Sequence, residues 1–266
     1  MRVIFIFLSE LILISNVEAA FENKVLSVRA EGMAGAFTAI ADDAGAIFYN
    51  PAGLSQITLQ EISFFHTHPF NLSQLQQDII TFVQPIKRGG RGFSYQQFRA
   101  SNNYKEALLT FDISTFVGKN LCIGINLKQL YLKIGGYGQT AGFGIDVGGL
   151  YKISPKINIG LVGFNLNQPL IDVEKSYNLG LSIRLKENLL IAIDLEKSGR
   201  FDSEIRIGQE FWITNNLCIR LGLKKHSVSQ PTLGLGILIN LSQLDYSCIF
   251  HPTLGQTHLF SLTKWF

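Results

Sequence analysis

Charge is scarce in this chain. Asp, Glu, Lys and Arg make up 16% of its 266 residues, where a soluble domain carries roughly a quarter. The net charge of +3 is small, so a nucleic-acid partner has no electrostatic footprint to bind. Cysteine is rarer still. Cys122, Cys218 and Cys248 are far apart and odd in number, which excludes a disulfide framework or a paired-cysteine metal motif and leaves at most one disulfide open. Past the first residues, every apolar run is broken within a few positions by Gly, Asn, Lys or Asp, so no transmembrane helix is expected. Catalytic signatures are missing as well. There is no G-x-S-x-G, no phosphate-binding Gly-Lys-Ser/Thr loop and no H-E-x-x-H, so the chain is read as a non-enzyme with no catalytic residue and no cofactor. His66 and His68 share a strand face and could meet His251 or His258 at a metal. No fixed ligand spacing supports that, and polar residues near a rim are the preferred reading.

What the chain does have is apolar character without length: 47% hydrophobic residues and a mean hydropathy of +0.21. Residues 1–19 read as a cleaved secretory signal, with Arg2 as the charged start, Val3 to Ile14 as the apolar stretch, and Val17 and Ala19 before the cut. Residues 20–57 form a distinct second part. Between Gly32 and Leu54 stand eleven Ala or Gly residues, the tandem Asp42-Asp43 and the closing Asn50-Pro51-Ala52-Gly53. Pro51 fixes its own φ and disfavours helix at Asn50. Gly53 relaxes the chain after it, and Asp42 or Asp43 can cap the short Ala-rich piece that follows.

From residue 58 to 266 one unit repeats: about ten alternating residues, then a turn signal. Strands are expected near 58–67, 77–87, 91–99, 105–117, 120–133, 139–153, 156–166, 176–186, 188–197, 203–213, 216–224, 230–240, 242–250 and 256–266. In one of them Leu121, Ile123, Ile125 and Leu127 share a face, opposite Cys122, Gly124, Asn126 and Lys128. Connections of two to four residues, such as Ser154-Pro155 and Thr214-Asn215-Asn216, join antiparallel neighbours and leave no room for a helical crossover. The longer gaps near 68–76, 99–104, 167–175 and 224–230 are the candidate outer loops.

Alternation does not say which face meets water. The polar face here is rich in glycine, including Gly124, Gly142, Gly144, Gly148, Gly160, Gly180, Gly208, Gly222, Gly234 and Gly236. A solvated sheet face has no need of glycine, whereas a crowded lumen where other backbone comes close does. The strand count is even and the lengths suit a tilted membrane strand. The expected fold is therefore all-β: a 14-stranded antiparallel transmembrane β-barrel with a short N-terminal internal hatch. The inward charges have both signs: Asp112, Lys128, Asp146, Arg184, Asp194, Glu204, Arg206, Glu210, Arg220 and Asp245. Mixed charge among glycines fits a plugged lumen stapled by ion pairs, some of them to Asp42 or Asp43. Phe260, Leu262 and the terminal Phe266 share a face of the last strand, a pattern similar to the C-terminal assembly signal of bacterial outer-membrane barrels.

Gly32-Met33-Ala34-Gly35-Ala36-Phe37-Thr38-Ala39-Ile40-Ala41-Asp42-Asp43, followed by Ile47-Phe48-Tyr49-Asn50-Pro51-Ala52-Gly53-Leu54, resembles the N-terminal hatch signature of the FadL-like outer-membrane transporter superfamily. The likeness is greatest to its PorV/PorQ branch. Gly142 to Tyr151, Asn158 to Leu166, Arg220 to Leu223 with Gly234 to Ile237, and His251 to His258 fit the same branch. The resemblance implies a fourteen-strand barrel of the bacterial outer membrane, inserted by the barrel-assembly machinery and surrounded by outer-membrane lipid. It assigns Asn50, Pro51 and Ala52 to an internal hatch. For function it implies an accessory of type IX-like protein secretion that binds secreted proteins. The alternative it carries is a channel for hydrophobic small molecules such as fatty acids.

Overall fold

The computed structural model describes residues 21, 25–101, 103–170, 173–199, 203–225 and 228–266. The expected signal segment lies outside the described residues. Fourteen antiparallel strands close on themselves: β1 (Glu61–His68), β2 (Leu75–Ile86), β3 (Gly89–Ala100), β4 (Tyr104–Val117), β5 (Leu121–Ile134), β6 (Gly138–Ser154), β7 (Ile157–Phe164), β8 (Ser176–Lys186), β9 (Leu189–Ser198), β10 (Glu204–Trp212), β11 (Leu217–Lys225), β12 (Ser229–Ile239), β13 (Ser242–His251) and β14 (Gly255–Trp265). Each strand pairs with its sequence neighbours, and β1 pairs with β14 from Glu61↔Trp265 to His68↔His258. The expected strands recur with ends displaced by no more than three residues. The largest displacement is at the first, which begins at Glu61 because Gln60 contributes only a carbonyl, accepting from Phe266 N at 3.0 Å.

The alternation resolves into an apolar outside and a polar inside. Ile123, Ile125 and Leu127 on β5 are 44–45% exposed, while Gly124 and Asn126 between them are buried. Ile205 and Ile207 on β10, Leu221 on β11, Leu233 on β12 and Leu262 on β14 repeat the pattern. An apolar belt running around a closed barrel far exceeds what a soluble surface tolerates. In a closed barrel every strand is paired on both sides, as a membrane-spanning sheet requires. The barrel is transmembrane.

The two rims differ. Residues 87–88, 118–120, 155–156, 187–188, 213–216 and 240–241 make tight turns at the rim where β1 begins and β14 ends. The opposite rim carries the longer connections, among them 69–74 and 165–175. Of the latter, residues 165–170 and 173–175 lie toward the lumen: Leu166 N donates to Ile145 O at 2.9 Å, Asn165 Nδ2 donates to Glu174 O at 3.0 Å, and Val173 is buried.

Residues 25–57 run inside the barrel and touch nearly every strand in turn. Helix α1 (Val28–Glu31) lies against β12–β14, where Ser247 Oγ donates to Val28 O at 2.7 Å and Thr232 Oγ1 to Gly32 O at 3.1 Å. The turn after it passes Gly208 and Gly222 on β10 and β11. Phe37 to Ala39 follow β7–β9. Helix α2 (Ala46–Tyr49) and a 3₁₀ turn, Pro51–Gln56, then cover β3–β6. The buried core is thus largely this segment itself, with Met33, Phe37, Ile40, Ile47 and Leu54 packed against Val83, Leu190 and Ala192 of the wall. Cys122, Cys218 and Cys248 are buried free thiols, so the one disulfide left open does not form.

Candidate functional site: an inner segment between two cavities

Local chemistry shapes the inner segment. Asn50 is extended (φ −164°, ψ 105°) and caps the 3₁₀ turn, its Oδ1 accepting from Ala52 N at 3.1 Å, with Pro51 at the first helical position. Its Nδ2 donates to Thr38 O at 2.8 Å and to Gly149 O at 3.1 Å. One fully buried amide therefore ties the turn to the rest of the segment and to β6. We expect Asn50→Ala to cost about 1–3 kcal/mol, because it strands buried partners. Asn50→Asp should cost no less, since it keeps the cap and loses both donations. Urea titration of the barrel in lipid vesicles measures this, and a midpoint equal to that of the unaltered protein would contradict it.

Asp43 Oδ1 accepts from Gly45 N at 2.7 Å just ahead of α2. Gly53 is needed for closeness and not for freedom: its φ is not positive, and a Cβ there would stand 2.0 Å from Ala41 O. Ala52 is buried with Cys122 and Leu150 of the wall.

One ion-pair system fastens the segment to the wall, and a second lies beside it. In the first, Arg29 bonds Asp42 at 2.7 Å, Asp43 at 2.9 Å and Glu210 of β10 at 2.8 Å. Glu210 is shared with Arg220 of β11 at 2.8 Å, and Arg220 reaches Asp245 of β13 at 2.7 Å. Burial works against the Arg29 charge, but Asp42, Glu210 and Asp43 together hold its pKa well above the usual value. In the second, Arg206 pairs with Glu196 and Glu204, and Lys224 stands 3.5 Å from Glu204. Glu31 lies beside this group and accepts from Tyr49 Oη at 2.6 Å. Burial raises the Glu31 pKa against the pull of Lys224, Tyr49 and Arg206.

The other expected lumen charges are placed differently. Asp194 accepts from Phe37 N at 3.0 Å and Thr38 N at 2.9 Å, serving backbone amides and not a cation. Asp146 holds Lys128 at 2.6 Å. Asp112 is buried with neither carboxylate oxygen partnered among the described residues. Arg184 lies at the tight-turn mouth, exposed, donating to Glu187 O at 3.4 Å, where a register shift against β9 ends the regular strand. Phe260 and Leu262 face outward, and Phe266 is exposed beyond β14. His66 pairs with Asp78, His68 with Leu75 O and His258 with Tyr246 Oη, while His251 accepts from Thr253 N and Leu254 N. No group of three metal-ligating residues assembles among the described residues.

Arg29, which ties the inner segment to β10, is not among the expected site residues. It is the single basic residue between positions 25 and 57. That solitude, facing a tandem Asp, was the available signal.

Among the described residues, cavities lie on both sides of the segment. A cavity of about 440 Å³ opens at the tight-turn rim, lined by Asp42, Phe48, Glu61, Phe65, Trp212 and Trp265 among others. A second, of about 120 Å³, lies on the loop side, with Phe164, Asn165 and Val173 in its lining. Leu26 and Phe48 line both.

Residues 21–151 match the family described as Uncharacterised protein family (UPF0164). That stretch holds the inner segment and the wall from β1 through most of β6. Two UPF0164 proteins of Treponema pallidum (strain Nichols) are similar: one is 28% identical over 169 residues, covering 58% of this chain and 42% of that protein; the other is 29% identical over 165 residues, covering 57% and 50%. The chain therefore spans about half the length of these curated relatives, or less. Among solved structures, the toluene transporter TbuX of Ralstonia pickettii superposes with a TM-score of 0.69 at 13% identity, covering 89% of this chain and 97% of that one. The CymD monoaromatic hydrocarbon channel gives 0.71 at 13%, covering 91% and 97%. A Pseudomonas aeruginosa FadL homologue gives 0.63 at 11%, covering 90% and 98%. At such identities the likeness establishes a shared fold, the closed β-barrel, and that alone.

Proposed function

We propose that this chain is an outer-membrane channel for apolar small molecules, with residues 25–57 as its hatch. The observation that carries the reading is the pair of cavities on opposite sides of the hatch, with Leu26 and Phe48 bordering both. A pore for ions would keep a continuous wet path, whereas here two cavities meet at two apolar side chains. The tight-turn rim faces the periplasm and the looped rim faces outward, as in bacterial barrels generally. The similar structures named for toluene or monoaromatic hydrocarbon channels support the same reading. A role in protein secretion, the reading drawn first from the PorV/PorQ resemblance, has less behind it, since the similar structures name small-molecule channels.

The test is uptake of radiolabelled toluene and of radiolabelled phenol by a bacterial host that lacks its own channel of this kind. Cells carrying the barrel should take up at least one of the two several times faster than vector-only cells, and Phe48→Ala, which joins the cavities, should be faster again. Uptake of both equal to vector-only cells, with heat-modifiable gel mobility proving the barrel folded, would sink the proposal.

A further inference from the structure

The loop-side cavity has a lining at odds with a plain hydrocarbon. Leu108, Leu130, Phe164 and Val173 give it apolar walls. Set among them are Gln96 on β3, Thr110 on β4 and Asn178 on β8, which are 6%, 1% and 2% exposed. Gln96 Oε1, Thr110 Oγ1 and Asn178 Oδ1 have no hydrogen-bond partner among the described residues. Folded interiors leave few polar atoms in that condition. Next to Thr110 on the same inward face, Asp112 and, across from it, Asn126 Oδ1 are likewise unpartnered.

The cations of the lining are already engaged. Lys128 is held by Asp146 and Asn165, Arg206 by Glu196 and Glu204, and Lys224 by Glu204. The carboxylates of Glu31, Asp146 and Glu196 also face this space. An incoming anion would therefore find no unpaired cation and three acids. An incoming O–H or N–H would find, on two sides of the cavity, acceptors that a small turn of the Gln96 or Asn178 side chain brings to its surface. At about 120 Å³, the space is slightly below the roughly 150 Å³ of an apolar cavity that admits benzene, so the guest is a single ring or a short chain.

We propose that this cavity selects small apolar molecules bearing one hydrogen-bond donor, such as a phenol, an arylamine or a short alcohol, and turns away carboxylates, fatty acids included. The proposal rests on the channel reading above and narrows its substrate class. Toluene filling the same space would leave the three acceptors unpaired. A site built to receive a donor rejects an isostere without one far more strongly than it senses a methylene.

Phenol and toluene have equal numbers of heavy atoms, which makes them the matched pair for equilibrium dialysis against the purified full-length barrel, with benzoate as the anion. Saturable binding of phenol at least tenfold tighter than toluene is expected, with benzoate weaker than either. Gln96→Leu and Asn178→Leu, each checked for heat-modifiable mobility, should bring phenol and toluene together or reverse their order. Toluene or benzoate binding as tightly as phenol would overturn the selectivity, while saturable toluene would leave the channel reading standing. Binding of none of the three would also overturn it, and the uptake assay then judges the channel reading separately.

Discussion

Replacing Arg220 with methionine is expected to destabilise the barrel by about 3–5 kcal/mol, the range for removing one partner of a buried ion pair. The Arg220 side chain is fully buried, and its guanidinium is shared between Glu210 at 2.8 Å and Asp245 at 2.7 Å. Methionine fills most of the volume, so the loss is electrostatic and not a cavity effect. Two carboxylates would be left facing each other out of water, one of them still bound to Arg29. Because Glu210 is common to both arginines, Arg29→Met and Arg220→Met should not add, as expected for residues sharing one partner. Arg29 keeps some contact with solvent, its side chain 15% exposed, so its own loss should be smaller. Heat-modifiable gel mobility and urea titration in lipid vesicles read the effect. A variant that altered solute flux while leaving both untouched would show that these pairs serve transport and not cohesion.

Much of this arrangement was legible in the order of residues, and the part that was not has a common cause. The period-two pattern of Leu121 to Lys128 gives β5 and its two faces directly, because a strand puts neighbours on opposite sides whatever surrounds it. The glycines of the polar face also spoke plainly: Gly124, Gly148, Gly160, Gly208 and Gly222 each stand where inner-segment atoms come too close for a Cβ. What the sequence did not disclose were contacts that depend on how the inner segment travels. Arg29 meets Asp42 and Asp43 across thirteen and fourteen residues, and Glu210 across 181; no local spacing encodes such a meeting. Asp194 reads as a charge awaiting a cation, yet it serves two backbone amides because the chain turns at Phe37. Gly53 reads as a flexible joint, and its real constraint is Ala41 O, twelve residues earlier. Local rules recovered the barrel, and long-range placement decided the hatch.

The second large effect should come from a single added side chain on the wall. A Cβ on Gly160 of β7 would lie 2.2 Å from Thr38 O and 2.7 Å from Thr38 C; one on Gly124 of β5 would lie 2.4 Å from Pro51 C. These neighbours are backbone, so no side-chain rotation relieves the clash, and either the strand or the hatch must move. The strand is bonded on both edges, Gly160 facing Leu150 on β6 and Gly180 on β8. The hatch is held instead by scattered side-chain bonds and ion pairs, so the hatch yields. Gly160→Leu and Gly124→Leu should therefore assemble as heat-modifiable barrels yet expose residues 25–57 to protease added at the tight-turn side. In planar bilayers they should pass small ions at several times the conductance of the unaltered protein. Gly149→Ala is the control. A Cβ at Gly149 meets nothing within 4 Å, and neither readout should change. If Gly160→Leu kept the hatch protected and the conductance low, the wall would have given way first. The hatch would then be the stiffer of the two, a rigid plug that substrates must pass around and not through.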